Sequence, residues 1–219
     1  MAKMLAVMYA THRPPRMEIV LRLLEKAKID YKIYNDGGPW FFGLKLVTAL
    51  RAAREETTYS HIFLMDAFDV LVLASHDEIL NRWKEFNHPW VCNAEVNCWP
   101  KASKGPMHPA VPTYWRYLNS GAYIAEREYL ATILDAWKAD QAERTYDQDW
   151  LMDEFLAHPE SIMLDTDCKL FQTLCGCEWL LKMGPGQVHN KFTGTDPAVI
   201  HYNGGSDIEK IKYIWDSVL

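Results

Sequence analysis

The chain has 219 residues, 49% hydrophobic and 24% charged, and this size suits one domain, residues 1–219, with a substantial core. Its 23 basic and 29 acidic residues give a net charge of −6, which argues against a protein whose main task is to grip nucleic-acid backbone through Lys and Arg. No stretch approaches the roughly 18 apolar residues of a membrane span, and no long apolar secretory signal begins the chain, so we expect a cytoplasmic location.

Apolar runs and helically spaced apolar residues alternate along the chain. Strands are expected at 5–10, 31–34, 62–65, 89–94, 121–125, 162–164 and 197–201. Helices are expected at 16–28, at 44–55, from the capping box 75–78 onward, and at 130–137, 150–156 and 208–219. Residues 97–114, rich in proline, are predicted to form a long functional or disordered loop. The alternation predicts a mostly parallel, three-layer α/β sheet.

The segment that follows the strand at 62–65 contains two carboxylates, Asp66 and Asp69. Ionised carboxylates at the end of a buried strand are costly unless a cation or solvent reaches them. In open α/β sheets, ligands bind just beyond the carboxyl ends of strands. The Asp-x-x-Asp pattern therefore indicates a hard divalent ion whose shell is completed by a phosphorylated substrate. The alternative is an ordinary loop with a helix cap and a surface acid.

Polar residues also follow other predicted strands. Tyr9 and Thr11 follow the first strand, Asp36 the second, Glu95 the fourth and His201 the last. Since the carboxyl ends of parallel strands share one edge of a sheet, these residues are expected to converge.

Two further segments allow both a functional and a structural interpretation. A neutral His201 imidazole beside two carboxylates suits manganese better than calcium, although the histidine also fits a hydrogen-bonded turn. Gly204 and Gly205 would let backbone N–H groups approach a phosphate closely. Asp147 and Gln148 begin a helix, where the carboxylate either serves the helix dipole or faces a substrate.

Familiar nucleotide and hydrolase fingerprints are absent from the sequence. It contains no G-x-G-x-x-G after the first strand, no G-x-x-x-x-G-K-[ST] and no G-x-S-x-G. A Rossmann dehydrogenase, a P-loop NTPase and a nucleophile-elbow hydrolase are therefore not supported.

Taken in order, several segments resemble the glycosyltransferase domain of procollagen lysyl hydroxylases and related collagen-type glycosyltransferases. The most specific are Cys-Trp-Pro at 98–100 and Tyr-Leu-Asn-Ser-Gly at 117–121. The others are 6–11, 43–45, 65–70, 93–95, 147–148, 164–165, 169–172 and 201–204. The resemblance covers nearly the whole chain and implies a GT-A fold, a three-layer α/β/α arrangement with a mostly parallel mixed sheet.

The resemblance also implies a UDP-sugar as donor and Mn²⁺ as cofactor. It implies metal ligation by Asp66, Asp69 and His201. Donor-binding residues are then Tyr9, Ala10 and Thr11 against uridine, together with Lys45, Asp66 and Gly204. The sugar and acceptor pocket is then lined by Glu95, Trp99, Asn119, Asp147 and Gln148, among which Asp147, Glu95 and Asn119 are the catalytic candidates.

One segment departs from the family pattern. After the metal histidine the family continues as Asn-Gly-Pro-x-Lys, and its lysine contacts diphosphate, whereas this chain reads Asn203-Gly204 and then Gly-Ser-Asp207. Either diphosphate binding then depends on Lys45, Lys210 or backbone amides, or the donor differs from the UDP-galactose and UDP-glucose that the family usually uses.

The implied activity is transfer of a hexose from a UDP-sugar to a hydroxyl group. The acceptor is either hydroxylysine in a collagen-like protein, a hydroxymethylated DNA base for an enzyme of viral type, or a lipid or sugar. For DNA, Lys101, Lys104, His108 and Arg116 would contact phosphates. The alternatives are a catalytically inactive sugar-nucleotide binding module and a metal-dependent phosphohydrolase. Donor sugar, stereochemical outcome and oligomeric state are not indicated by the sequence.

Overall fold

The computed structural model describes residues 2–35, 38–137, 139–184 and 187–204. Within these ranges the strands are β1 (Met4–Tyr9), β2 (Asp30–Tyr34), β3 (His61–Met65), β4 (Val70–Val72), β5 (Trp90–Glu95), β6 (Tyr117–Glu126), β7 (Met163–Asp165), β8 (Phe171–Thr173), β9 (Leu181–Gly184), β10 (Gln187–Asn190) and β11 (Val199–His201). The α-helices are α1 (Pro15–Lys26), α2 (Leu44–Glu55), α3 (His76–Glu85), α4 (Arg127–Asp135) and α5 (Asp147–Ala157). Short 3-10 helices lie at Ala102–Met107, Ala139–Arg144 and Glu178–Leu180.

Six strands form the central sheet in the order β2-β1-β3-β6-β5-β7. β1 is parallel to β2 and β3, and β5 is parallel to β7, whereas β6 is antiparallel to both of its neighbours. The prediction of a mostly parallel sheet is confirmed. At the end of β3, Met65 pairs with Ala122, and at the end of β5, Glu95 pairs with Tyr117. The first half of β6 therefore lies beside the carboxyl ends of β3 and β5.

Two hydrophobic cores cover the two faces of the sheet. Along β1, Ala6 and Met8 belong to one core and Leu5 and Val7 to the other, as expected for side chains that alternate across a strand. Buried residues of α1 and α3 complete the first core, and those of α2, α4 and α5 complete the second. This confirms the predicted three layers.

A second, three-stranded sheet has the order β4-β11-β8 and packs into the core of α1 and α3. β11 is antiparallel to β4 and parallel to β8. In this register His201 lies opposite Val70, and the main-chain N–H of Tyr202 donates to the carbonyl of Asp69 at 2.8 Å. The pairing of β4 with β11 thus brings His201 beside Asp69, although most of the chain separates them in sequence.

Most predicted elements are confirmed, and the differences concern boundaries and short strands. α2 spans the predicted residues 44–55, and the Ser75 hydroxyl accepts the main-chain N–H of Glu78 at 3.4 Å, as the capping box requires. β6 begins at Tyr117 rather than 121, because its first residues pair with β5. α4 begins three residues early, at Arg127, whereas α5 begins at Asp147, where the sequence predicted the start of a helix.

Four strands were not predicted, and several predictions lie outside the described residues. β4, β8, β9 and β10 have three or four residues each, too few to show a periodicity. The expected helix at 208–219 falls in a part of the chain that the structure does not describe, as do Asp36, Gly205 and Lys210. Among the described helices, none combines the length and apolar character needed to cross a membrane.

The Asp165 carboxylate organises the connection between β7 and β8. It is buried and accepts the main-chain N–H groups of Lys169 at 3.0 Å and of Leu170 and Phe171 at 2.7 Å each. Burial raises its pKa to about 6, although these N–H groups act in the opposite direction.

We expect Asp165→Ala to lower the free energy of unfolding by about 3 kcal/mol, because it leaves buried donors without an acceptor. Urea unfolding at pH 7.5 measures this against Asp167→Ala, a half-exposed neighbour. Equal stability of the two variants would contradict the prediction.

Candidate functional site

A cavity of about 380 Å³ opens beside the carboxyl ends of β3 and β5. The residues of the predicted site that line it are Lys45, Asp66, Asp69, Glu95, Trp99, Asn119, Asp147, Gln148, His201 and Gly204. The others in its lining, which sequence reasoning did not assign to the site, are Phe42, Asn97, Ser120, Gly121, Cys175 and Asn203. Most of the predicted set therefore converges on one cavity, as expected for residues that follow parallel strands.

The segment expected to contact uridine does not line this cavity. Tyr9 and Ala10 are buried and Thr11 is exposed. The Tyr9 ring lies 5.6 Å from the ring of Trp40, which in turn lies 5.9 Å from the ring of Phe42 in the cavity wall. The end of β1 is thus connected to the cavity through two aromatic side chains, and the contact of these three residues with uridine stays a prediction.

Asp66, Asp69 and His201 face one another at the end of β3. His201 Nε2 lies 3.6 Å from an Asp66 carboxylate oxygen and 3.7 Å from Asp69 Oδ1. One candidate ligand atom from each residue lies within 4.8 Å of the others. The Asp66 main-chain N–H donates to the Gly121 carbonyl at 2.8 Å, which ties the loop to β6.

The chemistry of this cluster fits a divalent cation. Asp69 Oδ1 is buried and has no hydrogen-bond partner among the described residues. Burial, and then the charge of Asp66, raise the pKa of Asp69 to about 7. Burial, and then the charge of Lys45, lower the pKa of His201 to about 3, so its imidazole is neutral. Two carboxylates and a neutral imidazole form a mixed oxygen and nitrogen ligand set for a divalent metal.

Lys45 provides a cation beside this cluster. Its Nζ lies 2.9 Å from an Asp66 oxygen, 2.9 Å from Asp147 Oδ2 and 3.4 Å from the Ser120 hydroxyl oxygen. Burial lowers the pKa of Lys45, but the charges of Asp147 and Asp66 outweigh it and the pKa is raised, so the side chain stays protonated. Asp147 lies in the first turn of α5, where its charge suits the helix dipole, and it also lines the cavity; contact with a substrate stays a prediction.

Three side-chain amides surround the buried carboxylate of Glu95. Asn119 Nδ2 and Gln148 Nε2 donate to Oε1 at 3.1 and 2.7 Å, and Asn203 Nδ2 donates to Oε2 at 2.9 Å. Burial raises the pKa of Glu95 to about 7, although these hydrogen bonds favour the charged form. Sequence reasoning assigned three of these residues to the site and missed the amide of Asn203.

Four aromatic residues, Trp40, Phe42, Trp99 and Tyr146, form an aromatic rim at the mouth of the cavity. Phe42 stacks on Tyr146 with ring centroids 4.0 Å apart, and Trp99 meets Tyr146 at 5.0 Å. Trp99 is 46% exposed, and its carbonyl accepts the Gln148 amide at 2.7 Å. The aromatic rim offers flat apolar faces of the kind on which a sugar or a base stacks.

The basic residues considered for DNA phosphates are engaged within the protein. Lys101 and Lys104 both pair with Asp149. His108 is buried, and Arg116 donates to the His108 carbonyl at 2.7 Å. These contacts engage part of the donors of the four residues, whereas Arg116 Nε and His108 Nε2 are buried without a hydrogen-bond partner among the described residues.

Some lining residues had a sequence signal and others had none. Ser120 and Gly121 belong to the specific motif that contains Asn119, and Asn203 adjoins Gly204, so the resemblance was able to indicate them. Asn97 and Cys175 lie in loops whose approach to the cavity depends on tertiary packing; Asn97 Nδ2 donates to the Cys175 carbonyl at 3.2 Å.

A family model described as the PLOD GT domain matches residues 7–215 of this chain. Human procollagen-lysine,2-oxoglutarate 5-dioxygenase 2 is 31% identical over 154 residues, which cover 67% of this chain and 21% of the relative. The human multifunctional procollagen lysine hydroxylase and glycosyltransferase LH3 is 29% identical over 163 residues, 72% of this chain and 22% of the relative. An uncharacterised protein of Acanthamoeba polyphaga mimivirus is 28% identical over 190 residues, 80% of this chain and 40% of the relative.

The chain thus spans well under half the length of these relatives. Among solved structures, a glycosyltransferase involved in the glycosylation of the major capsid of PBCV-1 shares the fold, with a TM-score of 0.55 and 12% identity, over 97% of this chain and 98% of that one. The expected GT-A type of α/β fold is confirmed.

Proposed function

We propose that this chain acts as a glycosyltransferase. It belongs to the family described as the PLOD GT domain, whose model matches residues 7–215. The proposed reaction moves a hexose from a UDP-sugar to a hydroxyl group of an acceptor, with Mn²⁺ bound by Asp66, Asp69 and His201. The three candidate metal ligands Asp66, Asp69 and His201 are together called the metal cluster. The observation that carries this proposal is that the metal cluster, Lys45 and the further carboxylate Asp147 line one cavity. Residues 1–219 are proposed to act as one glycosyltransferase domain.

The donor diphosphate is proposed to bind in the cavity beside the metal cluster and Lys45. A divalent ion bound there neutralises the charge that develops on a leaving diphosphate. Gly204 lines the same cavity in the left-handed backbone region, with a φ of 63°, where a main-chain N–H can approach a phosphate closely. The sequence has Asp207, which lies outside the described residues, where the family has a lysine that contacts diphosphate. We therefore propose that Lys45 and the Gly204 backbone make this contact with diphosphate instead.

In the transfer step the acceptor oxygen bonds to the anomeric carbon, and the bond from that carbon to the diphosphate breaks with its electrons leaving on UDP. Asp147 and Glu95 are the two cavity carboxylates to which we assign the hydroxyl proton or the support of positive charge at the anomeric carbon. The Lys45 ammonium lies 2.9 Å from Asp147 Oδ2, and this ion pair favours the charge-supporting role for Asp147.

A hydroxylysine-like side chain is the proposed acceptor. Two relatives carry procollagen lysine hydroxylation in their names, and one of them also carries glycosyl transfer. A DNA acceptor is less well supported, because two of the basic residues considered for it, Lys101 and Lys104, pair with Asp149. The aromatic rim is proposed to stack against the donor or the acceptor.

The test is release of UDP from a panel of UDP-sugars with and without Mn²⁺. Each incubation contains a hydroxylysine peptide, hydroxymethylated DNA or no acceptor. We expect Mn²⁺-dependent release that the hydroxylysine peptide accelerates. Affinity for UDP and Mn²⁺ without any release would establish the inactive binding module instead. Equal release with water alone, and no labelled acceptor, would establish a phosphohydrolase.

The raised pKa of Glu95 predicts a pH dependence of the transfer. Below about pH 7 its carboxyl is protonated and cannot accept from all three amides, so we expect activity to fall about tenfold per pH unit. Saturating Mn²⁺ keeps Asp69 ionised during the measurement.

The contribution of Glu95 to the stability of the protein changes with pH in the opposite direction to its contribution to activity. The pKa of Glu95 is above its ordinary value of 4.5, so its stabilising contribution is greatest below pH 4.5 and is lost as the pH rises through 7.

The experiment records activity and melting temperature between pH 5.5 and 8.5. Glu95→Gln serves as the comparison, because it removes the titrating group. It should therefore remove the part of the pH dependence of activity and of melting temperature that Glu95 causes. Activity of the wild-type protein that is flat from pH 6 to 8 would contradict the prediction.

A further inference from the structure

The His201 ring has two different environments on its two nitrogens. Nδ1 lies 2.9 Å from Asn119 Oδ1, at hydrogen-bond distance. Nε2 lies 3.6 and 3.7 Å from oxygens of Asp66 and Asp69, beyond that distance. A neutral imidazole carries one proton, and its metal-binding nitrogen is the one without it. The partner of Nδ1 therefore decides whether Nε2 offers a lone pair to the metal cluster.

The orientation of the Asn119 amide is determined by its other contacts. The Gly121 main-chain N–H, which can only donate, lies 3.0 Å from Asn119 Oδ1. Asn119 Nδ2 lies 3.1 Å from Glu95 Oε1, a carboxylate that accepts. The oxygen of the amide must therefore face His201, and an oxygen can only accept. It follows that Nδ1 of His201 carries the proton.

Glu95 is itself held by amides whose orientations are determined in the same way. The Gln148 amide oxygen accepts the Ser120 main-chain N–H at 3.1 Å, so its nitrogen faces Glu95. The Asn203 amide oxygen accepts the main-chain N–H groups of Leu174 and Cys175 at 3.0 Å each, so its nitrogen also faces Glu95. Backbone groups from two segments, Ser120 and Leu174–Cys175, thus hold the amides that fix the Glu95 carboxylate, and this carboxylate in turn fixes Asn119.

From this network we propose that Asn119 is a positioning residue, anchored by Glu95, that holds His201 in the Nδ1–H tautomer with the Nε2 lone pair directed at the metal cluster. Asn119 was expected among the catalytic residues, but its contacts place it behind the histidine. The inference rests on the proposed function, since it assigns a purpose to the same metal cluster. Partners that orient a metal-binding histidine typically change metal affinity about 10- to 100-fold when removed.

The primary experiment reads the tautomer in metal-free protein labelled with ¹⁵N-histidine. The eight histidines are distinguished by the signal that His201→Gln removes. In the wild-type protein we expect the Nδ1 resonance of His201 to be protonated and the Nε2 resonance unprotonated. In Asn119→Leu we expect the proton to move to Nε2, where Asp66 and Asp69 accept it. A wild-type His201 that carries its proton on Nε2 would overturn the proposal.

Two further variants separate positioning from general damage to the fold. Asn119→Asp keeps an acceptor opposite Nδ1 and should retain the Nδ1–H tautomer even though it loses the donor to Glu95. Asn93→Leu is the matched control, because Asn93 is buried, pairs in register with Asn119 on the neighbouring strand, and has no side-chain hydrogen bond among the described residues. It should change neither the tautomer nor the affinity.

Mn²⁺ affinity, measured by electron paramagnetic resonance, is the second readout. We expect Asn119→Leu to bind Mn²⁺ about 10- to 100-fold more weakly than the wild-type and Asn93→Leu proteins. An Asn119→Leu protein with the wild-type tautomer and affinity would overturn the positioning role. A wild-type protein with the expected tautomer that does not bind Mn²⁺ would instead contradict the proposed function, so the two failures are distinguishable.

Discussion

Replacing Asp69 with asparagine is expected to reduce Mn²⁺-dependent release of UDP by at least about a hundredfold. Asp69 Oδ1 is buried without a hydrogen-bond partner among the described residues. A buried carboxylate oxygen without a donor is stabilised when a cation binds to it. An asparagine presents a neutral oxygen and an amide nitrogen that cannot ligate. His201→Gln is expected to have a similar effect, because it removes the nitrogen ligand from between the two carboxylates.

Matched substitutions at sites away from the cavity control for changes in charge and side-chain type. Asp77→Asn alters a side chain that is 91% exposed, and His189→Gln alters a histidine that pairs with Asp196 on the surface. Both should leave activity within about twofold of wild type, as is usual for surface substitutions. Activity of Asp69→Asn close to that of Asp77→Asn, with the same Mn²⁺ requirement, would exclude Asp69 from the metal site.

Gly121→Ala is expected to remove Mn²⁺ binding and to lower transfer at least about a hundredfold, although Gly121 has no side chain to lose. A Cβ at this position would lie 2.0 Å from Cε1 of His201 and 2.6 Å from both ring nitrogens. The ring is buried and cannot stay where it is. Overpacking of this kind typically costs about 1–3 kcal/mol of stability, so the protein should still fold while the histidine moves away from the two aspartates.

The control for this substitution is Gly105→Ala at another buried glycine. There the nearest side-chain atoms, from Cys98 and Tyr117, are 3.6 and 3.7 Å away, an ordinary contact distance. Mn²⁺ titration and melting temperature of both variants separate loss of the site from loss of the fold. Wild-type Mn²⁺ affinity in Gly121→Ala would show that the His201 ring is not a ligand in the position described.

Part of the site was predictable because it depends on local sequence. An apolar strand that ends on Asp66, with Asp69 one short turn later, indicated a cation before any fold was known. The position of Glu95 followed from the next parallel strand. Both predictions follow from the pattern of apolar residues along the chain and from the expected parallel direction of the strands at 62–65 and 89–94.

The rest depends on pairing between distant segments. Nothing in the sequence indicates that β6 is antiparallel, yet this direction puts Asn119 and Gly121 against His201. The amide of Asn203 reaches Glu95 only because β11 lies beside β8. Tyr9 connects to the cavity through the rings of Trp40 and Phe42, and its expected contact with uridine stays a prediction. The cytoplasmic location and the single domain of residues 1–219 stay predictions.

The pairing of β4 with β11 links the metal cluster to the completion of folding. It joins Asp69 to His201 across most of the chain, a non-local contact whose formation requires a long loop to close. A chain that has not yet paired these strands offers no complete ligand set, so Mn²⁺ should bind the native state alone. Each hundredfold excess of Mn²⁺ over its dissociation constant would then add about 2.7 kcal/mol to the free energy of unfolding. Availability of the metal would thus govern how long the folded protein persists, as well as whether it turns over.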